Sequence, residues 1–219
     1  MTILFDLDGT LTDSGEGIIN CSIVALEHYG LPIPSREEMR VFVGPPLRDT
    51  MVKYGVPPEK AEESVQIFRR RYESVGIFEN YPYPGIAELL GALKVSGHTL
   101  YVATSKPEYM AQQVLDRFGL SKYFDRICGA LSDASRDKKE DVIAYLLKQS
   151  GDPQHAVMVG DTKFDVIGAA FHGIPTIGVT WGYGTEESML SAGAAAIVHT
   201  TQELLALLND SSLTLKIQK

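Results

Sequence analysis

Short apolar runs alternate with stretches of helical periodicity from about residue 85 onward. The runs lie at 98–105 (HTLYVATS), 124–130 (FDRICGA), 155–161 (HAVMVGD) and 175–180 (PTIGVT), and TILFD at 2–6 supplies one more near the start of the chain. Each later run is next to a segment with apolar residues at helical spacing, such as Leu89, Leu90 and Leu93. Strands that alternate with helices predict a parallel sheet covered by helices. The predicted fold class is therefore α/β, with a three-layer Rossmann-like core.

Residues 15–82 show a different pattern, with helix signals and no convincing strand. Ser35 and Glu38 have the spacing of a capping box, and Pro58 suits the first position of a helix. An apolar stripe then runs from Ala61 to Val75, opposite a basic run at 69–71 that we expect to be a solvated face. The pattern predicts an all-helical segment inserted into the α/β core.

Prolines and a glycine in NYPYPG, at 80–85, mark the return to the alternating pattern. We therefore predict a catalytic core from 1–14 and 83–210 and a helical cap from 15–82. We expect residues 211–219 to form a disordered tail.

Composition excludes several classes of partner. The 219 residues carry 20 Lys and Arg against 28 Asp and Glu, a net charge of −8, so we expect no nucleic acid or anionic membrane as partner. No run of about 18 apolar residues predicts a membrane span. Cys21 and Cys128 belong to no C-x-x-C pattern, which favours two buried free thiols. We expect a cytoplasmic protein, a monomer or weak dimer.

Polar side chains cluster where the predicted strands end. The clusters are Asp6 and Asp8, Thr104-Ser105-Lys106, Lys138-Lys139, and GDTKFD with Asp161 and Asp165. In an open parallel sheet the carboxyl ends of the strands share one edge, and ligands bind there. Four carboxylates at one edge repel one another unless a hard cation balances them, and oxygen ligands favour Mg²⁺.

Magnesium commonly shares its coordination shell with a substrate phosphate, so a phosphoester is the expected ligand. A threonine hydroxyl and a lysine would hold the phosphoryl oxygens. One carboxylate of the Asp6 and Asp8 pair could then attack phosphorus, and the other could protonate the leaving oxygen and later activate water. Gly9 would let the backbone approach the phosphate closely.

DLDGTLTDS, VATSKP, the lysine of KKEDVI and GDTKFD together resemble the four motifs of the haloacid dehalogenase superfamily. The resemblance is to the phosphoglycolate phosphatase-like branch with a helical cap, and it covers nearly the whole chain. It implies that Asp6 is the nucleophile and Asp8 the general acid/base. It also implies a Mg²⁺ site at Asp6, Asp8 (through its backbone carbonyl) and Asp161, with Asp165 bound directly or through water.

The same resemblance assigns the phosphate and substrate contacts. Thr104 matches the phosphate-binding hydroxyl, and Lys139 the lysine of the third motif, with Lys138 as the alternative. Ser105 stands where many relatives have Asn and still offers a donor. The stretch VGPPLRDT at 43–50 resembles the cap loop that faces the active site, which makes Arg48 a candidate substrate contact.

The function predicted from this resemblance is Mg²⁺-dependent hydrolysis of a small phosphorylated metabolite through an aspartyl-phosphate. The lysine segment lacks the prolines usual in enzymes that cleave phosphoglycolate, and IGVTWGYGTEE is similar to relatives known as 5′-nucleotidases. The substrate prediction therefore includes both a phosphoglycolate-like compound and a 5′-nucleotide. The alternatives are a phosphomutase acting on a sugar phosphate, a metal-free dehalogenase, and a non-catalytic module that binds phosphate or magnesium.

Overall fold

The computed structural model of the protein describes residues 1–131, 136, 138–150 and 155–210. The chain forms two compact units, Met1–Thr12 with Pro82–Lys219, here called the core unit, and Asp13–Tyr81, here called the helical unit. The functional division into a catalytic core and a cap stays a prediction, because compactness assigns no role to either unit. The predicted disordered tail, 211–219, lies outside the described residues.

The strands of the described residues are β1 Thr2–Phe5, β2 Thr12–Asp13, β3 Tyr81–Pro82, β4 Thr99–Pro107, β5 Arg126–Ala130, β6 Ala156–Gly160, β7 Thr176–Val179 and β8 Ala196–Val198. Six of them form one parallel sheet in the order β5-β4-β1-β6-β7-β8. The apolar runs at 2–6, 98–105, 124–130, 155–161 and 175–180 supply five of these strands. The sixth, β8, was not predicted.

The α-helices are α1 Gly15–His28, α2 Leu47–Lys53, α3 Ala61–Ser74, α4 Ile86–Val95, α5 Glu108–Arg117, α6 Lys139–Ser150, α7 Lys163–Ala170, α8 Glu186–Ser191 and α9 Thr201–Asn209. Short 3₁₀ helices span Glu38–Phe42, Pro58–Lys60, Gly76–Phe78 and Ser121–Tyr123. Among the described residues, no helix combines the length and the apolar character needed to cross a membrane.

The central sheet is buried on both faces. Leu4 and Met158, on neighbouring strands, pack in one apolar cluster with Ile143 of α6. Successive strand residues point to opposite faces, yet Ile3 and Val157, next to Leu4 and Met158, are equally buried. A sheet that buries both faces needs helices on each side, so the layers are helix, sheet and helix. The predicted α/β fold class is confirmed.

Strand β1 lies at the centre of the sheet, where the direction of winding reverses. The chain adds β4 and β5 on one side of β1, and then returns to add β6, β7 and β8 on the other side. Ligands of doubly wound sheets bind at such a switch point, outside the carboxyl ends of the strands. In this protein that position lies beyond β1, β4 and β6.

In the helical unit, the capping box forms as predicted. Glu38 Oε2 accepts from the backbone N–H of Ser35 at 2.9 Å, and Ser35 Oγ accepts from the N–H of Glu38 at 3.3 Å. The helix that follows is the 3₁₀ helix Glu38–Phe42. Pro58 also begins a 3₁₀ turn, which leads directly into α3.

Two side chains of the helical unit differ from the prediction. Val75 was expected to extend the buried stripe, but α3 ends at Ser74 and Val75 is 46% exposed. Arg71 was expected on a solvated face. It instead makes a bidentate ion pair with Glu79, at 2.8 and 2.9 Å, and donates a hydrogen bond to the buried thiol of Cys21 at 3.2 Å. The second cysteine, Cys128, is also a buried free thiol.

Candidate active site

The sheet register places Asp6 at the switch point. Phe5, the last residue of β1, is level with Val102 of β4 and Val159 of β6. The backbone N–H of Asp6 still donates to the carbonyl of Val159, at 2.9 Å, so the chain leaves the sheet only after this residue. Strand β6 ends one residue beyond this level and β4 continues to Pro107, so the residues that follow β1 and β6 and the last residues of β4 lie at one edge of the sheet.

Three carboxylates converge at this edge. Among the described residues, Asp6, Asp161 and Asp165 each offer one oxygen within 4.8 Å of the others, the arrangement required of ligands that share a metal ion. Asp161 and Asp165 are fully buried, and Asp6 is 9% exposed. Such a group of buried negative charges is costly unless cations lie close to it.

The nearest positive charge is Lys139, the first residue of α6. Its ammonium nitrogen lies 2.7 Å from Asp6 Oδ1 and 2.8 Å from Asp165 Oδ1. The ammonium also donates a hydrogen bond to the carbonyl of Ala103 at 2.9 Å, and the lysine side chain is 5% exposed. Lys138 is exposed. Of the two candidate lysines, Lys139 is the one that reaches the carboxylates.

Asp165 is held by the start of its own helix. Its Oδ2 accepts from the backbone N–H of Thr162 at 3.0 Å and from the hydroxyl of Thr162 at 2.8 Å. This bonding closes the first turn of α7 and fixes the side chain, so that Oδ1 faces Lys139. The carboxylate therefore caps the helix with one oxygen and faces the cluster with the other.

Asp161 is held by two loops of the core unit. Its Oδ1 accepts from the hydroxyl of Thr10 at 3.1 Å, and its Oδ2 accepts from the backbone N–H of Tyr183 at 2.8 Å. A Cβ on Gly182 would overlap this carboxylate and the carbonyl of Gly9. The loop 181–184 therefore packs directly against Asp161, and the indole N–H of Trp181 donates to the carbonyl of Thr10 at 3.0 Å.

Asp8 does not join the three-carboxylate cluster. Both of its carboxylate oxygens face the ammonium of Lys106, at 3.0 and 2.9 Å. The side chain of Lys106 is 4% exposed and that of Asp8 is 20% exposed. The side chain of the predicted acid/base thus lies apart from the predicted metal site, as expected if only its backbone carbonyl binds the metal.

Thr104 is buried at the end of β4, and its hydroxyl accepts from the backbone N–H of Lys106 at 3.2 Å. Ser105 is exposed at the same edge. Arg48 lies in the first turn of α2, in the helical unit, and is exposed. Its assignment as a substrate contact stays a prediction.

The electrostatics of the cluster favour an additional cation. Burial, opposed by the charge of Lys139, raises the pKa of Asp6 to about 6. Burial and the charges of Asp165 and Asp6 hold the pKa of Asp161 well above its usual value. Burial alone would lower the pKa of Lys139, but the charges of Asp165 and Asp6 keep it above its usual value. A further positive charge close to the cluster would stabilise the ionised form of its carboxylates.

A divalent cation fits this donor set. The Oδ1 atoms of Asp6 and Asp165 are buried and receive no aligned hydrogen bond, although both face Lys139. All the side-chain ligands of the cluster are carboxylate oxygens, which suits Mg²⁺ better than the softer transition metals. The cluster can therefore hold a hard divalent ion.

The sequence analysis assigned no role to Lys106 or to the loop 181–184. Lys106 was recognised only as part of a polar cluster at a strand end, and its partner Asp8 is 98 positions away. The loop was noted only for the similarity of its sequence to 5′-nucleotidases. Its pattern of Gly182 and Gly184 could have indicated close backbone packing, because both residues lie against Asp161.

Comparison with known protein families identifies the haloacid dehalogenase-like hydrolases. The model of that family matches residues 3–179. The chain therefore belongs to the haloacid dehalogenase-like hydrolase family.

Named relatives cover most of the chain. A 5′-nucleotidase of Pseudomonas aeruginosa is 41% identical over 85% of this chain and 86% of its own length. A phosphoglycolate phosphatase of Caulobacter vibrioides is 34% identical over 91% of this chain and 86% of its own. A Mycobacterium tuberculosis protein named tyrosine-protein kinase PtkA is 42% identical over 90% of this chain and 68% of its own.

A solved structure supports the same assignment. The crystal structure of a predicted phosphatase from Clostridium acetobutylicum matches with a TM-score of 0.90 and 41% identity, over 94% of this chain and 97% of that chain. The predicted enzyme class, a phosphoric monoester hydrolase, is confirmed at this level by the family and the named phosphatases.

Proposed function

We propose that this protein is a Mg²⁺-dependent phosphatase that hydrolyses a small phosphomonoester through an aspartyl-phosphate on Asp6. The observation that carries the proposal is the setting of Asp6 itself. Its carboxylate lies at the switch point of the sheet, beside Lys139 and within reach of the Asp161 and Asp165 oxygens. A carboxylate attacks a phosphate dianion only where nearby cations offset the repulsion between them, and this site supplies that environment.

In the first half of the reaction, a carboxylate oxygen of Asp6 attacks phosphorus and the bond to the leaving oxygen breaks. The leaving oxygen takes a proton from Asp8, so that an alcohol departs. Thr104 and the ammonium of Lys139 hold the phosphoryl oxygens in line with Asp6.

In the second half, water attacks phosphorus and gives its proton to the carboxylate of Asp8. The bond between phosphorus and Asp6 breaks, which releases inorganic phosphate and restores both aspartates. Asp8 thus acts as an acid and then as a base, two roles that need a carboxylate placed beside the nucleophile but not bonded to it.

Magnesium would be held by side-chain oxygens of Asp6 and Asp161 and by the backbone carbonyl of Asp8, with Asp165 bound directly or through water. Its chemistry is to balance the negative charge of the carboxylates and of the phosphate. The buried Oδ1 atoms without aligned hydrogen bonds support this placement.

The substrate class rests on similarity to the relatives. The 5′-nucleotidase and the phosphoglycolate phosphatase both support a small phosphorylated metabolite, and the higher identity to the nucleotidase favours a nucleoside monophosphate. Arg48 remains our candidate for the residue that contacts the substrate beyond the transferred phosphate.

A panel of phosphomonoesters tests the function. The purified protein is assayed for phosphate release from 5′-nucleotides, phosphoglycolate, sugar phosphates and p-nitrophenyl phosphate, with Mg²⁺ and with chelator. Phosphotyrosine is included because of the relative named a tyrosine-protein kinase. We expect release that requires Mg²⁺ and is fastest for one of the small metabolites. Undiminished turnover in chelator, or no release from any substrate, would refute the proposal.

A further inference from the structure

A buried lysine, Lys106, holds the carboxylate of Asp8, and none of the roles assigned above involves this lysine. The ammonium of Lys106 faces both carboxylate oxygens of Asp8, at 3.0 and 2.9 Å. A lysine whose side chain is 4% exposed is rare unless a partner compensates its charge, and Asp8 supplies that partner.

The position of Lys106 is set by the strand that carries it. Lys106 is the penultimate residue of β4, two positions after Thr104, in the stretch between Ala103 and Pro107 where the pairing of β4 with β5 shifts in register. Thr104 and Lys106 are buried, whereas Ser105 is exposed. The backbone N–H of Lys106 donates to the Thr104 hydroxyl at 3.2 Å. The lysine is therefore tied through its backbone to the threonine that we propose binds phosphate.

Two buried lysines thus contact three of the four aspartates of the site. Lys139 lies against Asp6 and Asp165, whereas Lys106 lies against Asp8. Among the described residues, Lys106 is the side chain that bonds to the Asp8 carboxylate. The geometry assigns Lys106 as a positioning residue for Asp8, which holds the acid/base carboxylate where it can reach the leaving oxygen.

The inference rests on the proposed phosphatase reaction, in which Asp8 gives a proton to the leaving oxygen as the bond from that oxygen to phosphorus breaks. Lys106 itself neither donates nor accepts that proton. Its effect should therefore depend on how much the leaving group needs a proton. An alkoxide leaves poorly without one, whereas p-nitrophenolate is stable as an anion.

The test compares single-turnover release of the leaving group, with enzyme in excess, for p-nitrophenyl phosphate and for the best alkyl phosphate of the panel. Single turnovers report bond cleavage even in a variant that cannot hydrolyse its phosphoenzyme. Loss of general acid catalysis costs on the order of 100-fold or more for a leaving group that needs the proton. For Lys106→Met we expect at least a ~10-fold slower release of the alcohol and a much smaller change for p-nitrophenol.

A matched control is available in the same unit. Lys94 faces both carboxylate oxygens of Asp125, at 3.0 and 2.8 Å, outside the site. Lys94→Met removes a lysine–aspartate pair with similar distances but greater exposure, and we expect it to leave both rates unchanged. Lys106→Arg keeps the charge and should recover part of the alcohol release. If Lys106→Met does not fold, Lys106→Gln, which keeps a neutral donor, replaces it in the comparison.

Combination with Asp8→Asn separates positioning from a direct role. If Lys106 acts through Asp8, the double variant Asp8→Asn/Lys106→Met should release each leaving group at nearly the rate of Asp8→Asn alone. Equal losses on both substrates, or a further loss in the Asp8→Asn background, would overturn the inference and make Lys106 a phosphate contact or a structural residue. An inactive wild-type protein would instead refute the proposed function.

Discussion

Lys139 and Asp6 form a buried ion pair in which the ammonium nitrogen lies 2.7 Å from Oδ1. The lysine is the first residue of α6 and the aspartate is the first residue after β1, so two distant segments meet at one point of the site. The pair places a permanent positive charge beside the proposed nucleophile. It also makes the stability of the fold depend on the charge balance of the site.

Lys139→Met should therefore both inactivate and destabilise the protein. Removing one partner of a buried pair leaves uncompensated charge and typically costs about 3–5 kcal/mol. Adding Mg²⁺ should raise the free energy of unfolding more in this variant than in the wild type, because the carboxylates of the variant lack the ammonium of Lys139. Urea unfolding with and without Mg²⁺ measures both effects. Lys138→Met is the matched control, since Lys138 is exposed, and should change neither stability nor turnover. Loss of turnover in Lys138→Met but not in Lys139→Met would instead assign the catalytic role to Lys138.

Gly182→Ala should weaken metal binding without touching a ligand. The added methyl would overlap the carboxylate of Asp161 and the carbonyl of Gly9, so the loop or the ligand must move. Changes to groups that orient metal ligands typically cost about 10–100-fold in affinity. Calorimetric titration with Mg²⁺ measures the change. The control is Gly91→Ala in α4, where the nearest atom to the new Cβ is 3.7 Å away. An unchanged Mg²⁺ affinity in Gly182→Ala would show that this loop does not hold Asp161 in place.

The ion pair between Arg71 and Glu79 should stabilise the helical unit in a pH-dependent way. The hydrogen bonds from Arg71 lower the pKa of Glu79, so the pair contributes stability above the unfolded pKa of about 4.3 and loses it as the pH falls further. We expect Glu79→Gln to cost about 1–2 kcal/mol at pH 7, and the difference from wild type to shrink toward pH 3.

Unfolding free energies at several pH values measure this effect. Glu63→Gln removes the exposed pair with Lys60 and is the control, for which we expect a much smaller change. A cost of Glu79→Gln that stays constant from pH 7 to pH 3 would rule out the charge as its cause.

Arg48→Ala tests whether the helical unit contributes to substrate choice. If Arg48 contacts a polar or anionic group beyond the phosphate, the variant should lower kcat/KM for the physiological substrate by ~1–3 kcal/mol and barely change hydrolysis of p-nitrophenyl phosphate. Equal losses on both substrates would indicate a role in the fold or the phosphate site. No loss on either would make Arg48 a surface charge.

Local patterns predicted most of the fold. Five strands of the sheet and the Ser35–Glu38 capping box were read from spacing alone, because burial periodicity and capping depend on residues close together in sequence. Strand β8 was missed, since Ala196–Val198 is only three residues long and follows an alanine-rich stretch without a period of two.

Contacts between residues that are distant in sequence could not be predicted from local patterns. Arg71 looked like a solvated charge because its partner Glu79 lies beyond the end of α3. Lys106 was given no role for a similar reason, since only the folded sheet brings it to Asp8. The candidate aspartates were found because they follow strand ends, a position that the topology of a parallel sheet makes predictable.

A covalent phosphoryl group on Asp6 distinguishes the proposed reaction from direct attack by water, and it can be trapped. The protein is mixed with its best substrate and Mg²⁺, quenched in acid and reduced with borohydride, which converts an aspartyl-phosphate to homoserine. Peptide mass spectrometry then locates the modified residue. We expect homoserine at position 6 in the wild type and none in a folded Asp6→Asn variant, which should also lack turnover. Modification at another residue, or turnover that persists in Asp6→Asn, would contradict the proposed reaction.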